Sequence, residues 1–266
     1  ISYYYIAIIF IYYILLYKFG YGYKEIAFIV KDTYVINFLL ILLLVLFYIL
    51  NHKLYIYKII NKIKLNECNG MDIESLFIDV LKSVLPITIL ICILSGPILK
   101  LIFNISNSVI FMFFIWLFPF IVLYIIGIKI LESLNNNKIL YITLCSGILI
   151  KIFLIIPLVN CMYRMGYNII YGEILSSIIG LFVSCIIAII YLNKKYKVNF
   201  AMSFEKILNI VYQNIILSVI LIVSSVIIPL NVSTKFESLI VILLYSIIFV
   251  IYIFIKKIFI LRGVKK

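Results

Sequence analysis

Charged residues are scarce in this chain: Asp, Glu, Lys and Arg together make up only 12% of its 266 residues. A soluble globular domain carries about a quarter charged residues and is about half apolar. Here 67% of the residues are hydrophobic. The shortage of charge therefore excludes an ordinary soluble domain and predicts a polytopic membrane protein.

The features of a metal site, a disulfide framework and a secretory leader are also missing. The five cysteines form no CxxC pair, and the single histidine, His52, stands beside Lys53. We interpret the cysteines as small packing residues and expect no disulfide framework, no metal and no other cofactor. The first apolar run has no positive region before it and no small-residue cleavage site, so we expect that it is not a signal peptide.

Catalytic motifs are absent as well. The chain has no phosphate-binding glycine loop, no HExxH motif and no nucleophile elbow. No span carries a pair of carboxylates, and no large outer loop carries Arg and His as a membrane glycosyl polymerase or ligase would. We therefore expect that the protein is not an enzyme.

Apolar runs of membrane-crossing length recur along the whole chain. They are about twenty residues long and apolar all round, whereas barrel strands alternate apolar and polar residues over about ten positions. The predicted fold is therefore an all-α integral membrane protein, a single transmembrane domain over residues 1–266 with about eight transmembrane helices. The expected spans are 2–17, 34–50, 84–104, 108–131, 139–160, 169–192, 207–229 and 239–260.

The formal net charge of +13 comes from cations in the loops. We expect these cations to meet anionic lipid headgroups and not nucleic acid. The segment 51–83 is predicted to be an amphipathic connector on the membrane surface, with a short second helix at 72–82 that leads into the third span. With this segment in the cytoplasm, 16 cations lie on the cytoplasmic side and 6 on the other, so the C-terminus is predicted to be cytoplasmic.

Lys151 is the one cation deep inside an apolar run. It lies about 18 Å into its span, near the middle of a hydrocarbon core of roughly 30 Å. Such a cation costs at least about 2.5–3.5 kcal/mol on insertion scales, so it should face a cavity or a partner. Thr143 and Gly147 precede it at four-residue steps on the same helix face. Lys151 is either a cavity cation that attracts an anionic substrate, or a structural ion-pair partner or snorkelling lysine.

Glu173 begins the next span and is followed on one face by Ser176, Gly180 and Ser184. Small residues at three- and four-residue steps allow helices to pack closely, and they could also line a cavity. Across the helical hairpin, Glu173 is expected to lie about one turn outward of Lys151, a distance that two long side chains can bridge. Glu173 is therefore a candidate partner for the lysine.

Lys129 and Glu132 lie at a helix end that the charge pattern places in the cytoplasm. They could frame the mouth of a cavity or belong to a solvated turn. The candidate substrate-cavity residues are therefore Lys151, Glu173, Thr143 and Ser176, and the candidate cavity-mouth residues are Lys129 and Glu132.

The order of these features resembles the C-terminal part of the multidrug/oligosaccharidyl-lipid/polysaccharide exporter superfamily. Residues 81–104, LKSVLPITILICILSGPILKLIFN, look like a family helix with a proline near its start and a "pI..liF" end. Residues 130–138 resemble an "iLqglg+" turn, 147–156 a "+iiKi.l" span, and 166–177 the start of an "lG..Ga..a...s" span. The similarity extends from about residue 53 onward. It points to polysaccharide and lipid-linked oligosaccharide flippases, including sporulation protein V B-like and lipid II flippase-like members.

The resemblance implies that the eight spans are the last eight of fourteen, which is one lobe plus two extra helices of a flippase. It implies a two-lobed, V-shaped bundle with alternating access, in which a polyprenyl-pyrophosphate-linked sugar enters a cavity and cations meet the pyrophosphate. Because the chain begins with Ile1 and not Met, we expect it to be a C-terminal fragment. The position of Glu173 departs from the family pattern, which has a small apolar residue there.

The expected function is thus the translocation of a lipid-linked oligosaccharide or polysaccharide precursor across the cell membrane, for polysaccharide biosynthesis in the cell envelope. A multidrug or small-cation antiporter of the same superfamily is an alternative, but such antiporters favour acidic cavity residues. A non-transporting membrane scaffold is another alternative, and it would tolerate Lys151→Leu. A membrane glycosyltransferase would need a catalytic pair that the sequence does not offer.

The charge distribution generates a topology prediction. In a cysteine-free background, a single cysteine at position 164 should react with an impermeant reagent added from outside, whereas cysteines at positions 62 and 265 should not. Labelling of position 62 from outside would overturn this orientation.

Overall fold

The computed structural model describes residues 56–65, 67–103, 109–134, 137–196 and 200–263. All regular secondary structure in these ranges is helical. The helices, in chain order, are α1 (Ile56–Lys64), α2 (Gly70–Ile93), α3 (Ser95–Phe103), α4 (Val109–Ile115), α5 (Leu117–Ser133), α6 (Asn137–Arg164), α7 (Ile170–Tyr196), α8 (Phe200–Ile227) and α9 (Lys235–Gly263).

Six helical stretches within the described ranges are long and apolar enough to cross a membrane. This is the architecture of a multi-pass membrane protein. The expected spans 2–17 and 34–50 lie outside the described residues. Five other predictions are confirmed to within four residues, by the stretches Val109–Ser133, Lys138–Arg164, Ile170–Tyr196, Phe204–Ile227 and Lys235–Lys256.

The expected third span, 84–104, is wrong in its bounds. The separate short helix predicted at 72–82 is the first half of one continuous helix, α2. The helix begins early because the backbone N–H of Asn69 donates to Asp72 Oδ2 at 3.2 Å, as in a capping box. The polar residues that suggested a boundary, Asp79 and Lys82, pair at 3.3 Å on the exposed side of the helix and do not interrupt it.

Prolines explain where two of the helices end. A proline lacks the N–H that would bond to the carbonyl four residues earlier, and its ring clashes with that carbonyl. The carbonyls four residues before Pro97 and Pro119 belong to Ile93 and Ile115, which are the last residues of α2 and α4. Pro86, by contrast, lies within the continuous helix α2.

The described helices belong to two compact units. Unit 1 contains α1, α6 and nearly all of α5 and α7. Unit 2 contains α2, α3, α4, α8 and α9. Because unit 2 is built from two separate stretches of the chain, its core depends on contacts between residues far apart in sequence. The expectation of a single transmembrane domain stays a prediction.

Helix α1 in unit 1 is amphipathic. Ile59 and Ile63, four residues apart, are buried, whereas Asn61 is exposed. Residues four apart share one helix face, so the apolar face of α1 is covered by protein. The membrane-surface connector predicted at 51–83 is not tested by this burial and stays a prediction.

The core of unit 2 joins α2 and the residue after it to α8 and α9. Its buried apolar side chains are Ile89, Leu94, Leu217, Leu221, Val241 and Tyr245. Two tyrosines on α9 add polar contacts, since the hydroxyl of Tyr245 donates to the carbonyl of Ile228 at 3.2 Å and that of Tyr252 donates to the carbonyl of Gln213 at 2.8 Å. Interhelical hydrogen bonds of this kind supplement van der Waals packing in membranes.

An ion pair that the sequence did not predict also joins α2 to α8. Lys206 Nζ lies 2.8 Å from Glu74 Oε1. The Glu74 side chain is only 9% exposed and that of Lys206 is 57% exposed. The carboxylate is thus largely removed from solvent and is stabilised by a cation that still contacts solvent.

We expect Lys206→Met to lower the free energy of unfolding by about 1–3 kcal/mol, because a buried carboxylate would lose its cation. Thermal unfolding of the purified protein in detergent measures the effect. Replacing Glu74 as well, in a Glu74→Gln/Lys206→Met variant, should recover part of the loss.

Lys235→Met is the matched control, since Lys235 is an exposed lysine at the start of α9 in the same unit. Its stability should stay close to that of the wild type. A Lys206→Met protein as stable as this control would show that the ion pair does not hold α8 to α2.

Candidate functional site

The candidate residues centre on a helical hairpin formed by α6 and α7. The short connection between them turns at Gly166, whose φ of 77° lies in the left-handed region that favours glycine. Asn168 Oδ1 then accepts a hydrogen bond from the backbone N–H of Ile170 at 3.1 Å, which caps the start of α7. The two helices therefore run antiparallel, and their facing residues can be aligned in register.

Each helix of the hairpin presents one residue every four positions along the face that meets its partner. On α7 all five of these residues are small and buried: Gly172, Ser176, Gly180, Ser184 and Ala188. On α6 the corresponding residues are Thr143, Gly147, Lys151, Ile155 and Val159. Thr143, Ile155 and Val159 are buried. Lys151 therefore belongs to the stripe of α6 that faces α7.

The backbones of α6 and α7 approach one another closely. A Cβ added to Gly180 would lie 2.6 Å from the carbonyl oxygen of Gly147, and one added to Gly172 would lie 2.6 Å from the backbone N of Val159. The Ser184 hydroxyl also donates to the carbonyl of Thr143 at 2.9 Å. Small residues are what permits such an approach in a membrane, so the stripe on α7 serves close packing.

Lys151 stands at the midpoint of the 27-residue span Lys138–Arg164. Its Cβ lies only 3.3 Å from where a Cβ of Gly180 would stand, so the side chain leaves α6 on the side of α7. The residue is half-buried. Charged side chains at mid-span on a helix–helix face generally pair with another group or line a substrate or ion pathway.

The structure places Glu173 in the first turn of α7, where its negative charge suits the positive end of the helix dipole. Its Oε2 atom is buried, and its carbonyl accepts hydrogen bonds from the hydroxyls of Ser176 and Ser177 at 2.8 and 2.9 Å. Gly180 contacts Lys151 and Gly172 contacts Val159. The register of these contacts puts Glu173 roughly 10 Å along the helix axis from the level of Lys151, about twice the one turn that the sequence predicted.

The two hydroxyl candidates are fully buried. The hydroxyl of Thr143 donates to the carbonyl of Ile139 at 2.8 Å, and that of Ser176 donates within its own helix in the same way. Both side chains are 0% exposed. In this conformation they stabilise the packed face of the hairpin and are not presented to a ligand.

The two cavity-mouth candidates lie far from Lys151. A Cβ added to Gly127 on α5 would lie 3.5 Å from the Cβ of Ala188 on α7. The Sγ of Cys185 donates a hydrogen bond to the carbonyl of Phe120 at 3.8 Å. These contacts align α5 parallel to α7, so Lys129 and Glu132 lie level with the end of α7. Counted from the contact of Gly127 with Ala188, Lys129 and Glu132 lie roughly 15 and 20 Å along the axis from the level of Lys151.

Sequence reasoning missed the buried pair of Glu74 and Lys206, because it assigned both residues to polar segments outside the spans. Apolar residues continue before residue 84, and Ile73 and Leu76 on either side of Glu74 are buried in the structure. Extending the third span backwards along this pattern would have included Glu74. No local pattern pairs Glu74 with a lysine 132 residues later. The prediction of cysteines as packing residues holds for Cys68 and Cys185 and is wrong for Cys145 and Cys161, which are exposed.

No family model, curated protein or solved structure matches the chain. The superfamily resemblance therefore stays a prediction.

The close approach of α6 and α7 generates a stability prediction. Gly180→Ala should destabilise the protein by about 1–3 kcal/mol, because the new methyl group would collide with backbone and force the helices apart. Thermal unfolding in detergent measures this loss.

Gly127→Ala is the matched control, because its new methyl group would meet Ala188 at an ordinary contact distance of 3.5 Å. It should be tolerated or slightly stabilising, since alanine favours helix more than glycine does. Equal effects of the two substitutions would contradict the backbone approach described here.

Proposed function

We propose that this chain is part of a cell-membrane transporter that moves a polyanionic, lipid-linked precursor, such as a polyprenyl-pyrophosphate-linked oligosaccharide or polysaccharide unit. The observation that carries the proposal is the position of Lys151, at the midpoint of a span and on the face of α6 directed to α7. A multi-pass helical architecture is consistent with it.

The chemistry of Lys151 favours an anionic ligand. An ammonium group at mid-span is costly to insert, and a cation there attracts negative charge more strongly than it would in water, because the local dielectric constant is low. A pyrophosphate is a polyanion that must pass the same depth of the membrane when its lipid is flipped. Lys151 would then recruit the pyrophosphate while the sugar passes alongside.

The packing of α6 and α7 supports a specific role for the hairpin. Because the two backbones touch at Gly147 and Gly180, the pair is suited to move as one rigid body. Alternating access in transporters is largely the rocking of rigid helix groups around a fixed binding site. In this proposal the hairpin carries Lys151 as a fixed part of the site, and the cytoplasmic C-terminus follows from the charge distribution of the loops.

A membrane scaffold without transport activity is the second candidate. The observation that favours it is the same close packing, since Thr143 and Ser176 are buried and bonded within their own helices. In that case Lys151 would be a structural partner of Glu173. A cation antiporter is less favoured, because the ionisable residue at the midpoint of the span is a base and not an acid.

The test replaces Lys151 in the full-length protein and measures precursor translocation in reconstituted vesicles or complementation in cells. Lys151→Ala should weaken anion binding by about 2 kcal/mol or more and abolish transport, with expression unchanged. Lys151→Arg should retain part of the activity, because the charge remains although the shape of the group differs. Lys235→Ala removes an exposed lysine elsewhere and should behave as the wild type.

A scaffold would respond differently. If Lys151 serves only to pair with Glu173, either single replacement should destabilise the protein, because the other charge would remain in the membrane without its partner. Replacing both by apolar residues should then restore folding and activity together. Full activity of Lys151→Ala would refute the transport role of this lysine.

A further inference from the structure

One long apolar stretch of this protein belongs to both compact units. The stretch Val109–Ser133 is long and apolar enough to cross the membrane, yet its residues up to Pro119 belong to unit 2 and those from Phe120 onward to unit 1. The chain also passes between the units at residues 67/68, between α1 and α2, and at residues 195/196, in the last turn of α7. The crossing at residues 119/120 differs from these two because it falls inside a span.

Before this crossing, the chain is fixed within unit 2. Helix α4 packs against α2 and α3. The thiol of Cys92, at the end of α2, donates a hydrogen bond to the carbonyl of Met112 at 3.8 Å. Phe111 and Ile115 of α4 are 3% and 1% exposed. Helix α4 is therefore held by partners in unit 2 up to its last residue, Ile115.

After the crossing, the chain is fixed within unit 1. The carbonyl of Phe120 accepts a hydrogen bond from the thiol of Cys185 on α7 at 3.8 Å. The ring of Phe120 also packs edge-to-face against that of Phe182 on α7, with the ring centroids 6.1 Å apart. The helical chain thus exchanges its partners in unit 2 for partners in unit 1 between Ile115 and Phe120.

The segment between these two anchors, residues 116–119, has a weakened helix backbone. Pro119 has no N–H to donate to the carbonyl of Ile115. The N–H of Trp116 donates to the carbonyl of Phe113, three residues earlier, at 3.3 Å. A short turn of this 3₁₀ type inside a longer helix often marks a hinge.

The similar break between α2 and α3 lacks two of these features. There the N–H of Leu94 donates to the carbonyl of Leu90, four residues earlier, at 2.9 Å, so the α-helical pattern continues at the break. The proline that follows it, Pro97, and both of its helices lie within unit 2. The break before Pro97 therefore bends a helix inside one unit and links no second unit.

We propose that residues 116–119 form a hinge about which units 1 and 2 tilt relative to one another. A helix that lacks one backbone hydrogen bond bends at lower cost there, and the contacts on either side direct the bending to these four residues. Hinges of moving domains are a few residues at the ends of such elements. The proposal does not rest on the transport function proposed above, because its test measures distances and not activity.

The experiment measures distance distributions between spin labels in the full chain in lipid nanodiscs, by double electron–electron resonance. Labels enter through a non-canonical amino acid, so that Cys92 and Cys185 stay in place. All labelled positions are exposed. The pair 190 and 219 joins the two units, whereas the pair 149 and 190 lies within unit 1 and the pair 219 and 250 within unit 2. Freezing traps the range of conformations that microsecond-to-millisecond tilting produces, so the wild type should give a broader distribution across the units than within either.

Pro119→Ala tests the cause of this breadth. Alanine supplies the missing N–H and a good helix former, so the distribution across the units should lose its extra width and approach that of the pairs within one unit. The matched control is Pro97→Ala, which also follows a helix break by a few residues but lies inside unit 2. It should leave the distribution across the units as broad as in the wild type.

Three results would overturn the hinge. A wild-type distribution across the units as narrow as those within them would show that the units do not tilt. Unchanged breadth in Pro119→Ala, or an equal narrowing in Pro97→Ala, would show that residues 116–119 are not where the bending occurs. Unchanged distances for the two pairs within units confirm that each variant has folded, and the comparison within the wild type needs no variant at all.

Discussion

Lipid offers a helix pair no hydrophobic driving force, so α6 and α7 must be held together by contact and by hydrogen bonds. The contact is as close as backbones permit, with Gly147 against Gly180 and Gly172 against Val159. Ser184 then adds an interhelical hydrogen bond to the carbonyl of Thr143. The position of Lys151 follows from this packing, because the lysine is the one long polar side chain on an otherwise packed stripe of α6.

The helices of unit 2 are also held together by contact and hydrogen bonds, but through larger side chains. Its helices enclose an apolar cluster around Tyr245 and are tied together by tyrosine hydroxyls that reach carbonyls on α8 and in the turn after it. The pair of Glu74 and Lys206 adds a charged contact near the start of both helices. Since these contacts join residues far apart in sequence, the arrangement of unit 2 is sensitive to each of them separately.

The two ends of the hairpin in unit 1 differ in charge. Lysines gather where α6 begins and α7 ends, which is the distribution expected of a cytoplasmic face. Lys151, in contrast, is a single charge at the midpoint of a span, where only a partner or a ligand offsets its cost.

The amino-acid sequence by itself determined the helical class and five of the spans, because runs of about twenty apolar residues have no other stable form in lipid. It also singled out Lys151 and the small residues near Ser176, since both depend only on spacing along one helix. The start of α2 was predicted wrongly, because the charged residues Asp79 and Lys82 indicated the end of a short surface helix. In the structure both residues lie on one exposed face of a continuous helix. Only the tertiary structure decided that Gly147 contacts Gly180, that Thr143 and Ser176 are buried, and that Glu74 forms an ion pair with Lys206. Those facts depend on the register between helices, and no pattern within one helix encodes that register.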